Sequence, residues 1–163
     1  LENKHEDFMR SFDSVADLEV VIGQEVAVSD WIAIDQQRVN LFADATDDHQ
    51  WIHIDPERAK KGPFGAPIAH GFLTLSLLPH FMATAIEIRN TVMGVNYGLN
   101  KVRFPSPVPV GSRLRARIKL LGLEHLPPQM GHPGAQLTWE VTIEREGSDK
   151  PVCVAESVAR RYG

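Results

Sequence analysis

The sequence predicts an α+β fold in which an antiparallel sheet wraps around one long apolar helix, and three observations carry that expectation. From about Ala69 to Ile88 the side chains are apolar on nearly every side of a helical projection. The second half of the chain alternates apolar and polar residues in strict twos, the pattern of strands with one wet face. Shorter amphipathic and capped segments come before both, so helices precede strands. The 163 residues, 43% hydrophobic and 23% charged, suit one ordinary domain able to bury a core. With no internal repeat or low-complexity tract, residues 1–163 are read as a single domain.

Asp35 is a good N-cap, and the residues after it place Val39, Phe42, Ala43 and Thr46 on one stripe, which predicts a short amphipathic helix. The stretch from Asp47 to Ile54 loses that period and is dense in polar groups, so it reads as a loop. Asp55, Pro56 and Glu57 then look like an N-cap, a proline at the first helical position and an acidic first turn, with Gly62 placed to end a brief helix. Gly62 to Pro67 is loop punctuation. The apolar run that follows is interrupted by His70, Pro79 and His80 and closed by Glu87 to Asn90, which is not the pattern of a membrane span. A helix so apolar must be buried, and Pro79 is expected to bend it.

Arg113, Arg115, Arg117 and Lys119 interleave with Leu114, Ala116, Ile118 and Leu120, and Leu137, Trp139, Val141 and Ile143 form the inward set of a second strand. If the two pair antiparallel, Glu140 and Glu144 can offset the arginine row, each exposed pair contributing about 0.2 to 1 kcal/mol. Val95 to Phe104 and Val152 to Arg160 supply two more strands.

With 17 basic and 21 acidic residues the formal charge is −4, so the whole molecule has no electrostatic footprint for nucleic acid or an anionic membrane. Any anionic ligand has to be met by local cations. The single cysteine, Cys153, sits in an apolar run and reads as a small buried hydrophobe, which leaves no intrachain disulfide. Leu1 to Asp7 are polar and contain no signal-like apolar stretch, and a cytoplasmic location is the expectation.

Asp47, Asp48, His49 and His53 concentrate two carboxylates and two imidazoles in seven residues, between segments that could hold them rigidly. Adding water across a polarised double bond requires one group to take a proton and another to deliver one, and a carboxylate beside an imidazole can do both near neutral pH. The same residues also describe a solvated loop with helix-capping aspartates. Trp51 and Ile52, apolar inside so polar a loop, favour an anchored segment whose polar groups face a pocket. A metal site from Asp48, His49 and His53 is a further option, though the histidines lie in a predicted loop without the glutamate of a zinc protease helix. A second candidate is Ala69-His70-Gly71, where the buried helix starts. Free N–H groups and a positive dipole end could meet a developing enolate oxygen there, and the glycine would let a ligand come close. Tight packing of helix on sheet is the other use of Gly71.

The stretch from Phe42 to Ala59, followed by Pro67-Ile68-Ala69-His70-Gly71, resembles the hydratase motif of MaoC-like dehydratases, the (R)-specific enoyl-CoA hydratases. Gln50-Trp51 is similar to the variant in the nodulation-protein-N-like branch, and the likeness extends through Asn96 to Val108 and Gly111-Ser112. The resemblance implies a hot-dog fold, a homodimer, and hydration of trans-2-enoyl-CoA or another acyl thioester to the (3R)-3-hydroxyacyl product and its reversal, with no cofactor and no metal. It places Asp48 and His53 as the catalytic pair and Gly71 as the oxyanion N–H. Gln50 would orient the loop or the water, Trp51 would pack, and His70 would line the substrate site. Lys101 and Arg103, with Lys60 and Lys61, are the candidate cations for the carrier's phosphates. Asp47 stands where the family has glycine, a position that suggests positive φ, which aspartate tolerates better than most residues. A hot-dog acyl thioesterase and a catalytically weakened acyl-binding protein are the alternatives.

Overall fold

The alternating segments of the second half become the body of the sheet in the computed structural model, which describes residues 9–163. The polar stretch Leu1 to Asp7 lies outside the described residues. In chain order the elements are β1 (Arg10–Phe12), a 3-10 helix (Val15–Val21), β2 (Glu25–Val28), β3 (Ile32–Ala33), α1 (Gln36–Thr46), α2 (Trp51–Ile54), α3 (Pro56–Lys60), α4 (Gly71–Ser76), α5 (Leu78–Ala85), β4 (Ile86–Ile88), β5 (Met93–Arg103), β6 (Arg113–Gln129), β7 (His132–Arg145) and β8 (Cys153–Tyr162). The large sheet runs in the order β2, β6, β7, β8, β5, with β3 also on β6. All its pairings are antiparallel.

The long β6–β7 hairpin turns at Met130 and Gly131, both at positive φ, as a tight hairpin twist requires. Its register sets Ala116 opposite Ile143, Ile118 opposite Val141 and Leu120 opposite Trp139, so both inward sets share one face and are buried. On the other face Glu144 takes both Arg115 and Arg117, Arg117 also reaches Glu25 at 3.3 Å, and Arg113 meets Glu146 at 3.1 Å. Glu140 stands opposite Lys119 but makes no ion pair among the described residues. Cys153 is fully buried, and burial pushes its thiol up to about 11.

The apolar run folds as two helical segments rather than one. The chain breaks at Leu77, two residues before Pro79, because proline has no N–H to give the carbonyl of Leu75. Leu73, Thr74, Leu78, Phe81 and Ala85 are buried on the sheet side, whereas Phe72 is 68% exposed, so in the single chain the burial expected all round is confined to one face. The expected helix to Ile88 ends at Ala85. Ile86 to Ile88 instead forms β4, paired in parallel with β1 in the register Arg10 to Ile86 and Phe12 to Ile88. Two β-branched residues flanking Glu87 suit a strand, and the partner that selects it lies far away in sequence.

Candidate active site

The stripe of α1 brings Val39 and Ala43 into the core, and the helix ends at Asp47 in the left-handed region, φ 59° and ψ 19°. That conformation explains why glycine suits this position, and aspartate adopts it as expected. Asp47→Gly is therefore expected to raise stability by up to about 1 kcal/mol and to leave kcat unchanged or higher. Thermal unfolding and turnover check this together; a large fall in kcat would mean that the Asp47 carboxylate takes part in the chemistry.

After Asp47 the predicted loop contains one turn of helix, α2, that carries His53 inward. The turn is anchored on both sides. Trp51 packs on Gly62, where an added Cβ would lie 2.9 Å from the ring, and Arg58 stacks over it at 4.4 Å. The Ile52 carbonyl accepts the Ile68 N–H at 3.0 Å, tying α2 to the strand-like approach to α4. Gln36 donates from Nε2 to the His53 carbonyl at 2.7 Å, a buttress that nothing in the local sequence signals.

His53 is 6% exposed and its Nδ1 lies 2.6 Å from the Ile68 carbonyl. A carbonyl can only accept, so Nδ1 carries the proton and Nε2 presents a lone pair. Burial lowers the His53 pKa, opposed by that carbonyl; His70 also lowers it and Asp48 raises it. The ring is neutral near pH 7. His70 stacks on it at 3.8 Å and donates from Nε2 to the Asp48 backbone carbonyl at 3.0 Å. The other nitrogen of His70, Nδ1, is buried and without a hydrogen-bond partner among the described residues.

The structure thus brings Asp48, His53 and His70 together, with a ligating atom from each within 4.8 Å of the others. Gly71 follows His70 as the first residue of α4, where its N–H has no acceptor within the helix. Phe104 closes over it, 3.0 Å from where a Cβ would stand. Gln50 precedes α2 with an exposed side chain; its carbonyl accepts the His53 N–H at 3.0 Å. His49 turns outward onto Asp44 at 2.8 Å, and that hydrogen bond raises its pKa. It is not part of the cluster.

Lys101 and Arg103 do not join the cluster either. They face away from the helix, lining a recess of about 180 Å³ with Glu140, Val154 and Glu156. Lys60 is engaged by Glu57 at 3.1 Å.

The residues that could hold a metal ion are Asp48, His53 and His70, one ligand atom from each. The stacked rings are tilted by only 25°. Their planes meet well beyond the roughly 2.1 Å of a metal–imidazole bond, so the two rings are not aimed at one ion. The arrangement suits holding a small hydrogen-bonding molecule such as water between a carboxylate and an imidazole.

Known proteins match this chain along most of its length. It is 57% identical over 152 residues, 93% of this chain and 98% of the relative, to 3-hydroxyacyl-thioester dehydratase Z of Mycobacterium tuberculosis. It is 49% identical to nodulation protein N of Rhizobium leguminosarum bv. viciae, covering 87% of each. Among solved structures, the unliganded R-hydratase PhaJ1 of Pseudomonas aeruginosa superposes with a TM-score of 0.66 at 24% identity, over 85% of this chain and 79% of that one, which shows the hot-dog fold. No helix among the described residues is long and apolar enough to cross a membrane. The MaoC like domain family matches residues 17–131, and with these relatives it shows that the chain belongs to the MaoC-like dehydratases.

Proposed function

We propose that this protein hydrates trans-2-enoyl thioesters to (3R)-3-hydroxyacyl thioesters and catalyses the reverse dehydration. The observation that carries this reading is the His53 Nε2 lone pair, held by the Ile68 carbonyl and set beside Asp48 at the start of α4. A water between the two would donate one hydrogen to the Asp48 carboxylate and one to His53 Nε2, leaving an oxygen lone pair free to attack the β-carbon. As the C–O bond forms, the double-bond electrons move toward the thioester oxygen, and the Gly71 N–H is placed to stabilise that charge. The proton taken from water is then delivered to the α-carbon, so one water is added across the double bond.

The acyl chain would run along α4 and α5, against Leu75, Leu78 and Met82. Lys101 and Arg103 are proposed as contacts for the carrier's phosphates only with the carrier passing from Phe104 over the end of β5 to the outer face of the sheet, where both side chains lie. A homodimer joined along β5 is part of the same proposal. That strand is the sheet edge, and Val95, Tyr97 and Leu99 on it, with Phe72 nearby in the fold, leave apolar surface open to a second copy. A cytoplasmic location is proposed with it, in keeping with a buried free thiol.

Crotonyl-CoA tests the reaction type. Enoyl absorbance is expected to fall with no release of free CoA thiol. Stoichiometric thiol would establish a thioesterase instead, and binding without any turnover would establish an acyl-binding protein.

A further inference from the structure

Arg161 breaks the pattern of the sheet. On β8 the residues that face α5 are Ala155, Ser157, Ala159 and Arg161, so an arginine occupies the inward position nearest the end of the strand. Small neighbours make room for it. Its register partners are Ala135 on β7 and Gly94 on β5, and a Cβ on Gly94 would collide with its guanidinium. It has no carboxylate partner among the described residues, and its one hydrogen bond is a long contact of 3.4 Å to the Arg160 carbonyl. Burial pulls its pKa down.

This guanidinium lines a cavity of about 570 Å³ between α5 and strands β5, β7 and β8. The walls are otherwise mainly apolar, with Leu78, Met82, Ile86 and Trp139 among them. Thr91 also lines it, and the Thr91 hydroxyl is buried with no hydrogen-bond partner among the described residues. A half-buried cation and an orphan hydroxyl facing an apolar cavity are costly unless a ligand answers them. The cavity begins at Leu75, one helical turn beyond Gly71, and follows the helix away from the catalytic cluster. It therefore lies where the distal part of an acyl chain would go. One planar fork matches one carboxylate in two parallel hydrogen bonds, whereas a carrier's several phosphates would need several cations.

We infer that Arg161 is a specificity residue that selects acyl thioesters whose far end carries a carboxylate, with Thr91 as a second donor to that group. The inference rests on the enoyl-thioester reading above and names its substrate class. A chain ending in methyl would fill the same walls but leave the guanidinium unpaired.

The test uses trans-2-enoyl-CoAs of graded length, each with and without a terminal carboxylate, on wild type, Arg161→Lys and Arg161→Met. At the length that fits the cavity, wild type is expected to prefer the carboxylated member by about 10- to 100-fold in kcat/KM, the scale of a charge-assisted hydrogen-bonded pair. Arg161→Met is expected to abolish or invert that ratio, and Arg161→Lys to keep part of it. The inference is overturned if no length shows a preference in wild type, or if the ratio survives in Arg161→Met. Arg161→Met is also expected to melt no lower than wild type, because it removes a half-buried charge with no carboxylate partner among the described residues. A lower melting temperature with loss of dimer would show that Arg161 pairs with a second copy, and would likewise overturn it. Thermal shift with free sebacate against decanoate reads the cavity without catalysis. If no thioester is turned over but sebacate stabilises wild type and not Arg161→Met, the hydratase reading fails and the anion site stands. Hydration of plain enoyl-CoAs with no gain from the carboxylate is the opposite result.

Discussion

His53→Ala and Asp48→Asn are each expected to lower enoyl-thioester hydration by at least ~100-fold, as for an acid/base pair acting as a unit on one water. The two differ in what they do to the fold. Asp48 is exposed and its side chain makes no hydrogen bond within the described chain, so asparagine should leave the melting temperature nearly unchanged. His53 is buried, bonded to the Ile68 carbonyl and stacked on His70, and alanine there orphans a buried acceptor at a cost of about 1 to 3 kcal/mol. Rates are therefore compared per folded molecule, at a temperature well below both transitions. Near-normal turnover in either variant would remove that residue from the mechanism.

The pH dependence gives the same assignment a second readout. Burial lowers the His53 pKa, so Nε2 keeps its lone pair at neutral pH, and kcat/KM should fall only as pH drops below the ordinary imidazole value of about 6.5. Asp48 opposes that lowering, and its removal should move the acid limb of the residual activity lower still. Stability follows the same sign. A histidine whose folded pKa is depressed contributes stability above its unfolded pKa, and that contribution is lost as pH falls through the folded value.

Gly71→Val is expected to reduce turnover by ~100-fold or more, on the scale of losing an oxyanion donor, while the protein stays folded. The N–H survives the substitution, but two methyl groups enter the space where a planar thioester would approach. Phe104 complicates the comparison because its ring lies 3.0 to 3.1 Å from the new Cβ and must shift. At 41% exposure the ring has room to move, so the stability cost should stay near the lower end of the roughly 1 to 3 kcal/mol typical of overpacking. Adding Phe104→Ala to Gly71→Val separates the two effects. Recovery of the melting temperature without recovery of turnover would place the substrate carbonyl at the start of α4. Recovery of both would make Gly71 a packing residue only.

Elements governed by local periodicity were legible from the residues. Asp35 capped α1, Pro56 opened α3, and the alternation named the inward residues of β6 from Leu114 to Leu120 and of β7 from Leu137 to Ile143, though not Leu123 or Ala135 in the stretches beyond, because side-chain direction along a regular helix or strand follows from backbone geometry alone. The motif from Phe42 to Gly71 likewise marked Asp48, His53 and His70 as candidates before any coordinates. The short strands β1 and β4 were not legible. Their signal is three residues each, and they are stabilised by one another across more than seventy residues of chain.

Residue types and spacing by themselves determined the sheet, the buried apolar helical run and which side chains could do acid/base work, while the family came from the resemblance of the stretch from Phe42 to Gly71 to a known motif. Only the tertiary structure decided which nitrogen of His53 is free, since that depends on the Ile68 carbonyl fifteen residues away. It also turned His49 outward onto Asp44, made His70 a plate beneath His53, set Lys101 and Arg103 on the outer face of the sheet, and put Arg161 on the inner one. The physical reason is the same in each case: a side chain's protonation and partners are set by groups that meet it in space, and a linear pattern carries no record of those meetings until the chain has packed.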